Sequence, residues 1–103
     1  MAAFHDFYIP STAEGLSWRV SYYKPQRGAG VVCATEGESE VIDGIRIFRH
    51  TMFQSRRKRH ELPGRATKRT VAQALCELLC SLEADGSISH DDSMKWVRQA
   101  QKI

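Results

Sequence analysis

From Leu16 to Tyr23 apolar and polar residues alternate without a break. Leu16, Trp18, Val20 and Tyr22 share one side, and Ser17, Arg19, Ser21 and Tyr23 the other. A period of two, rich in aromatic and β-branched residues, predicts a half-buried strand. Lys24-Pro25-Gln26-Arg27-Gly28 then supplies a turn, since proline presets φ and glycine tolerates positive φ. Val31 to Thr35 predicts a second strand, and Glu36-Gly37-Glu38-Ser39-Glu40 a polar connector. Val41 to Phe53 is strand-like again, with a turn or bulge at Asp43-Gly44. Ile45 and Ile47 would face one way there, with Phe48 and Met52 opposite. Residues 54–65 carry too much charge for a central strand, and Pro63-Gly64 closes them, which predicts a loop or the exposed end of a hairpin.

The period then changes. Thr67 is an N-cap candidate, and Val71, Leu75, Leu78, Leu79 and Leu82 follow at the spacing of one helix face. Asp85-Gly86 predicts a left-handed stop after about four turns. A second, shorter helix should start at Ser89, with Asp91 and Asp92 at its positive end and Ile88 stapling it, so that Trp96, Val97 and Ala100 pack inward. Residues 1–15 mix aromatics with Pro10 and read as an extended N-terminal arm packed back on the domain. Strands followed by helices predict an α+β fold: a three- to four-stranded antiparallel sheet packed by one long helix and a short C-terminal helix. Its core should hold Trp18, Val20, Ile45, Ile47, Val71, Leu75, Leu78, Leu79, Leu82 and Val97.

A length of 103 residues fits a single domain over 1–103, and 42% hydrophobic with 26% charged residues is a globular composition. The apolar runs are too short for a membrane-spanning helix, and MAAFHDFYIPSTAEG has neither the basic nor the apolar region of a secretory signal. Three cysteines cannot close a complete disulfide framework, which points to a reducing cytoplasm. Cys76 and Cys80 stand one helical turn apart. With no second Cys or His pair at ligand spacing, they read as small buried hydrophobes rather than a metal or redox pair.

Motifs for catalysis are missing. There is no Gly-x-Ser-x-Gly elbow, no phosphate-cradling glycine loop followed by Lys-Ser/Thr, and no His-Glu-x-x-His. His5, His50, His60 and His90 are scattered without ligand-like pairing. The expectation is a non-enzymatic protein with no cofactor and no metal.

Charge supplies the one functional lead. Residues 1–45 have a balance of −3, residues 46–69 of +8, and residues 70–103 of −2. The basic segment holds Arg46, Arg49, Arg56, Arg57, Lys58, Arg59, Arg65, Lys68 and Arg69 against Glu61 alone. Four consecutive cations at 56–59 repel one another unless solvated or neutralised. Arg65, Lys68 and Arg69 sit where a helix begins, the end at which its dipole favours anions. Cations beside unpaired helical N–H groups make a phosphate site. Several guanidiniums on one surface would neutralise nucleic-acid phosphates with salt-sensitive, sequence-independent affinity. Tyr22, Tyr23 and Phe53 could add stacking. The same nine residues could instead contact a protein partner or the acidic flanks of a second copy, as a homodimer.

Gly64-Arg65-Ala66-Thr67-Lys68-Arg69-Thr70-Val71-Ala72-Gln73-Ala74-Leu75 resembles the start of the last helix of double-stranded-RNA-binding domains. The resemblance implies phosphate contacts at Lys68 and Arg69. Strands followed by a helix are also similar to the N-terminal β-β-β-α domains of phage integrases. A compact α+β chain without a catalytic signature resembles phage and mobile-element accessory proteins, anti-CRISPR inhibitors among them. Two functions are therefore expected: contact with nucleic-acid phosphates through residues 46–69, or a small inhibitor or adaptor that blocks the working surface of a host protein complex.

Overall fold

A computed structural model describes residues 3–24, 30–49, 56–62 and 67–102. Among them five strands, β1 (Ala3–Pro10), β2 (Leu16–Lys24), β3 (Val31–Ile42), β4 (Ile45–Arg49) and β5 (Arg57–Glu61), precede two helices, α1 (Lys68–Ala84) and α2 (His90–Ala100). All strand pairs are antiparallel in the order β1-β2-β3-β4, with β5 also on β3. The helices pack on one face of the sheet, giving the α+β arrangement that the pattern predicts. No helix among the described residues is long and apolar enough to cross a membrane.

Register explains which side chains meet the helices. Trp18 lies opposite Ile9 and Glu36, and Val20 opposite Phe7 and Ala34. Partners across an antiparallel pair point to the same side. Ile9, Trp18, Val20, Val32 and Ala34 therefore form one apolar floor, sealed by Val71, Ala74, Leu75, Leu78, Leu79 and Leu82 of α1. Trp96 of α2 stacks on Phe7 of β1, with ring centroids 4.3 Å apart.

Both helix ends form as expected. The Thr67 side chain accepts from the Thr70 N–H while the Thr70 hydroxyl accepts from the Thr67 N–H, a reciprocal capping box. At the other end the Ser87 N–H reaches Leu82 O and the Gly86 N–H reaches Glu83 O, with Gly86 at φ 74°. That pairing closes two orphan carbonyls, and only glycine adopts the left-handed turn without strain. Ser89 caps α2 through the Asp92 N–H.

Within the N-terminal arm over 1–15, the extended backbone of Ala3–Pro10 forms β1, paired with β2, so Ile9 joins the core. Three expectations are corrected. The polar connector at 36–40 is the continuation of β3, with Glu36 opposite Trp18 and Glu38 opposite both Leu16 and Arg49. The charged stretch at 54–65, expected as a loop or the exposed end of a hairpin, contains the strand β5, paired with β3. Finally, Ile45 and Ile47 are not core: they are 67% and 38% exposed. The Asp43-Gly44 turn, with φ of 53° and 78°, is the positive-φ pair of a two-residue hairpin. That hairpin carries β4 past the helices. The turn at residues 25–28 and the residues Pro63, Gly64 and Phe53 lie outside the described residues.

Candidate anion-binding surface

Glu38 pairs with Leu16 of β2 and with Arg49 of β4, while Val31 to Thr35 pair with both β2 and β5. β4 and β5 therefore share one edge of β3, end to end. An edge strand tolerates charge that a central strand does not, because one side of its backbone meets water. This is why Arg57-Lys58-Arg59-His60-Glu61 forms a strand.

Strand geometry then divides the cations. Lys58 lies opposite Ala34 and His60 opposite Val32, so both belong to the helix-covered side, whereas Arg57 opposite Thr35 and Arg59 opposite Cys33 belong to the open side. Arg56, just before β5, reaches back under the sheet. Its Nε and Nη2 donate to the two carboxylate oxygens of Glu36 at 2.9 and 2.8 Å. Its guanidinium lies over the Trp18 ring, 5.2 Å from the centroid, and its Nη1 donates to Ser87 Oγ. Ser11 Oγ donates to the same carboxylate at 2.6 Å. The Glu36 residue is only 5% exposed, so the fork from Arg56 compensates its desolvation. That hydrogen bond holds the Glu36 carboxyl below the usual carboxylate range, with Ser11 adding to it and burial opposing both. Arg56 is correspondingly raised by Glu36. Lys58 is held by Asp85, at the end of α1, and donates to Ser81 Oγ at 2.7 Å. These two cations lock the sheet to the helix layer.

Arg57 and Arg59 are exposed on the opposite side. That face is polar: Arg19 pairs with Asp6 at 2.9 Å, Ser21 also donates to Asp6, and Ser17 bonds Ser39 at 2.7 Å. Lys68 and Arg69 are exposed in the first turn of α1, which contains no acidic residue. Arg46 and Arg49 have their backbones in β4, but their side chains, like all of Arg65, lie outside the described residues. The described cations of the basic segment thus occupy three places, not one converging surface: the open face, the ion pairs on the helix side of the sheet, and the start of α1.

Sequence reasoning passed over the carboxylates that take up the internal cations. Glu36 was legible as the next even-numbered position after Val32 and Ala34, and so as an inward-facing residue of β3. Asp85 carried no such signal, because its closeness to Lys58 depends on how α1 lies on β5. Tyr22 packs against the core rather than standing clear for stacking, and Tyr23 is not described at the side-chain level. Cys76 packs against the core and burial pushes its thiol up, whereas Cys80 is exposed, contrary to the expectation that both are buried. His90 Nδ1 contacts Glu83 Oε2 at 3.0 Å. Among the described residues no three His, Cys, Asp or Glu side chains gather as metal ligands. No family model, curated protein or solved structure matches this chain.

Proposed function

We propose that this chain is a non-enzymatic nucleic-acid-binding protein that holds phosphates with Arg57 and Arg59 on the open sheet face, with Lys68 and Arg69 at the start of α1 as a second, separate phosphate contact. The observation that carries this reading is the alternation along β5: Arg57 and Arg59 are exposed and, lying opposite Thr35 and Cys33, share the polar face that the helices do not cover, whereas Lys58 lies on the helix-covered side. Alternate residues of a strand stand about 7 Å apart, so both guanidiniums can meet one phosphate backbone. The exposed Lys68 and Arg69 occupy the positions to which the resemblance to RNA-binding domains assigns phosphate contacts.

Equilibrium binding to duplex DNA, duplex RNA and single-stranded oligonucleotides at two salt concentrations tests it. Affinity should fall steeply with salt, and the combined Arg57→Ala and Arg59→Ala variant should flatten the logarithmic slope by about 0.9 for each phosphate contact removed. Failure of the unaltered chain to bind any of these at low salt overturns the reading. Capture of a protein partner that survives nuclease treatment, without nucleic-acid binding, would assign the cations to an acidic protein groove instead.

A further inference from the structure

The β3–β4 hairpin leaves Val41, Ile42, Ile45 and Ile47 exposed, the densest such group among the described residues. We infer that it is a self-association element: β4 of one copy pairs antiparallel with β4 of a second copy, about a two-fold axis at Ile47, to make one continuous sheet.

The register of the hairpin dictates this axis. A two-residue turn makes Ile42 and Ile45 a hydrogen-bonded pair, and such pairs alternate with non-bonded ones along the ladder. Ile45, Ile47 and Arg49 therefore spend their backbone groups on β3, while Arg46 and Phe48 direct theirs to the outer edge. Among the described residues no strand occupies that edge. Antiparallel pairing centred on Ile47 sets Arg46 of each copy opposite Phe48 of the other, which satisfies both outward residues of each strand. It leaves Ile47 facing Ile47 as a non-bonded pair, the arrangement in which side chains come closest.

Two further observations fit a second copy rather than an unrelated strand. Ile42, Ile45 and Ile47 lie on one side of the hairpin, so the two-fold joins three exposed isoleucines from each copy into one apolar strip. Charge is also compatible. The segment 38–49 carries Glu38, Glu40 and Asp43 against Arg46 and Arg49, close to neutral, so two copies meet without strong repulsion. The same register brings the acidic turn of each copy, at Asp43, to the level of Arg56, just before β5 of the other. A two-fold perpendicular to the sheet keeps both open faces on one side, doubling the surface that displays Arg57 and Arg59. A hairpin buries less than the roughly 1,200 Å² of a standard interface, so the dimer is weak and depends on concentration.

Sedimentation velocity of the full chain without nucleic acid, from low to high micromolar concentration, tests the inference. A monomer should convert to a dimer, and Ile47→Lys, which puts like charges opposite each other, should weaken that conversion by about tenfold or more with an unchanged circular dichroism spectrum. Independently, in a Cys80→Ser background, Ile47→Cys should form a disulfide-linked dimer under mild oxidation. Ile45→Cys should not, because its counterpart lies roughly 14 Å away, beyond disulfide reach. A chain that stays monomeric throughout, or cross-links equally at both positions, overturns the inference. Either failure leaves the phosphate-binding reading standing, because that reading requires only one copy.

Discussion

β4 and β5 occupy the same edge of β3, are each five residues long, and are opposites. β5 is rich in charge, yet Lys58 within it and Arg56 just before it are held in ion pairs. β4 carries aliphatic side chains that stand in water. What separates them is the layer beneath. α1 packs against β5 and the adjoining part of β3, so the inward cations find Glu36, Asp85 and Ser81. The hairpin that carries β4 extends past the helices, so Ile42 and Ile45 find nothing in their own chain. The lesson is that hydrophobicity identifies what can be buried, while the length of a strand relative to its covering helix decides what is buried.

That contrast can be broken most sharply in the helix. Leu78 is fully buried against the sheet, and Leu78→Ala should cost about 3 kcal/mol in urea unfolding, from lost burial and the cavity left behind. The same truncation in β4, Ile45→Ala, should cost less than about 0.5 kcal/mol. Comparable losses at the two positions would mean that the hairpin is covered in the monomer.

Within the basic run, Arg56→Ala strands the buried Glu36 carboxylate and should cost about 2 kcal/mol, whereas Arg57→Ala, one residue along and on the open face, should stay within about 0.5 kcal/mol. Equal effects would mean that the two faces of β5 are not distinct. Nucleic-acid affinity should show the reverse order.

Acid sharpens the comparison further. The Glu36 carboxyl is lowered in the folded state, so its contribution is complete above the ordinary carboxylate pKa and is lost as pH falls through the lowered value. Unfolding measured down the acid range should show stability declining there, and Glu36→Gln should flatten that part of the decline. Glu83, lowered mainly by its hydrogen bond with His90 and more accessible to solvent than Glu36, should leave a smaller trace when changed to Gln. A profile unaltered by Glu36→Gln would deny the Arg56 fork its role.

Most of the architecture was legible along the chain, because its signals are local. The alternation around Trp18 marked an inward face, the leucine stripe marked α1, and Thr67, Gly86 and Ser89 marked where helices begin and end. Those choices depend on backbone propensity and on neighbours three or four residues away. The basic segment was legible as a concentration of charge but not as a surface. Its division follows from β5 forming at an edge, which depends on residues about twenty-five positions earlier in β3.

The alternation of β2, the two helices with their caps, the identity of the helical core and the excess of positive charge at 46–69 were thus determined by the amino-acid sequence alone, since each is expressed over a few neighbouring positions. Only the tertiary structure decided that Arg56 pairs with Glu36 and Lys58 with Asp85 on the helix side while Arg57 and Arg59 belong to the open face, and that Ile45 and Ile47 extend beyond the core. Each of these depends on which distant segment lies alongside, and a pairing across the sheet leaves no mark in the local pattern of either strand.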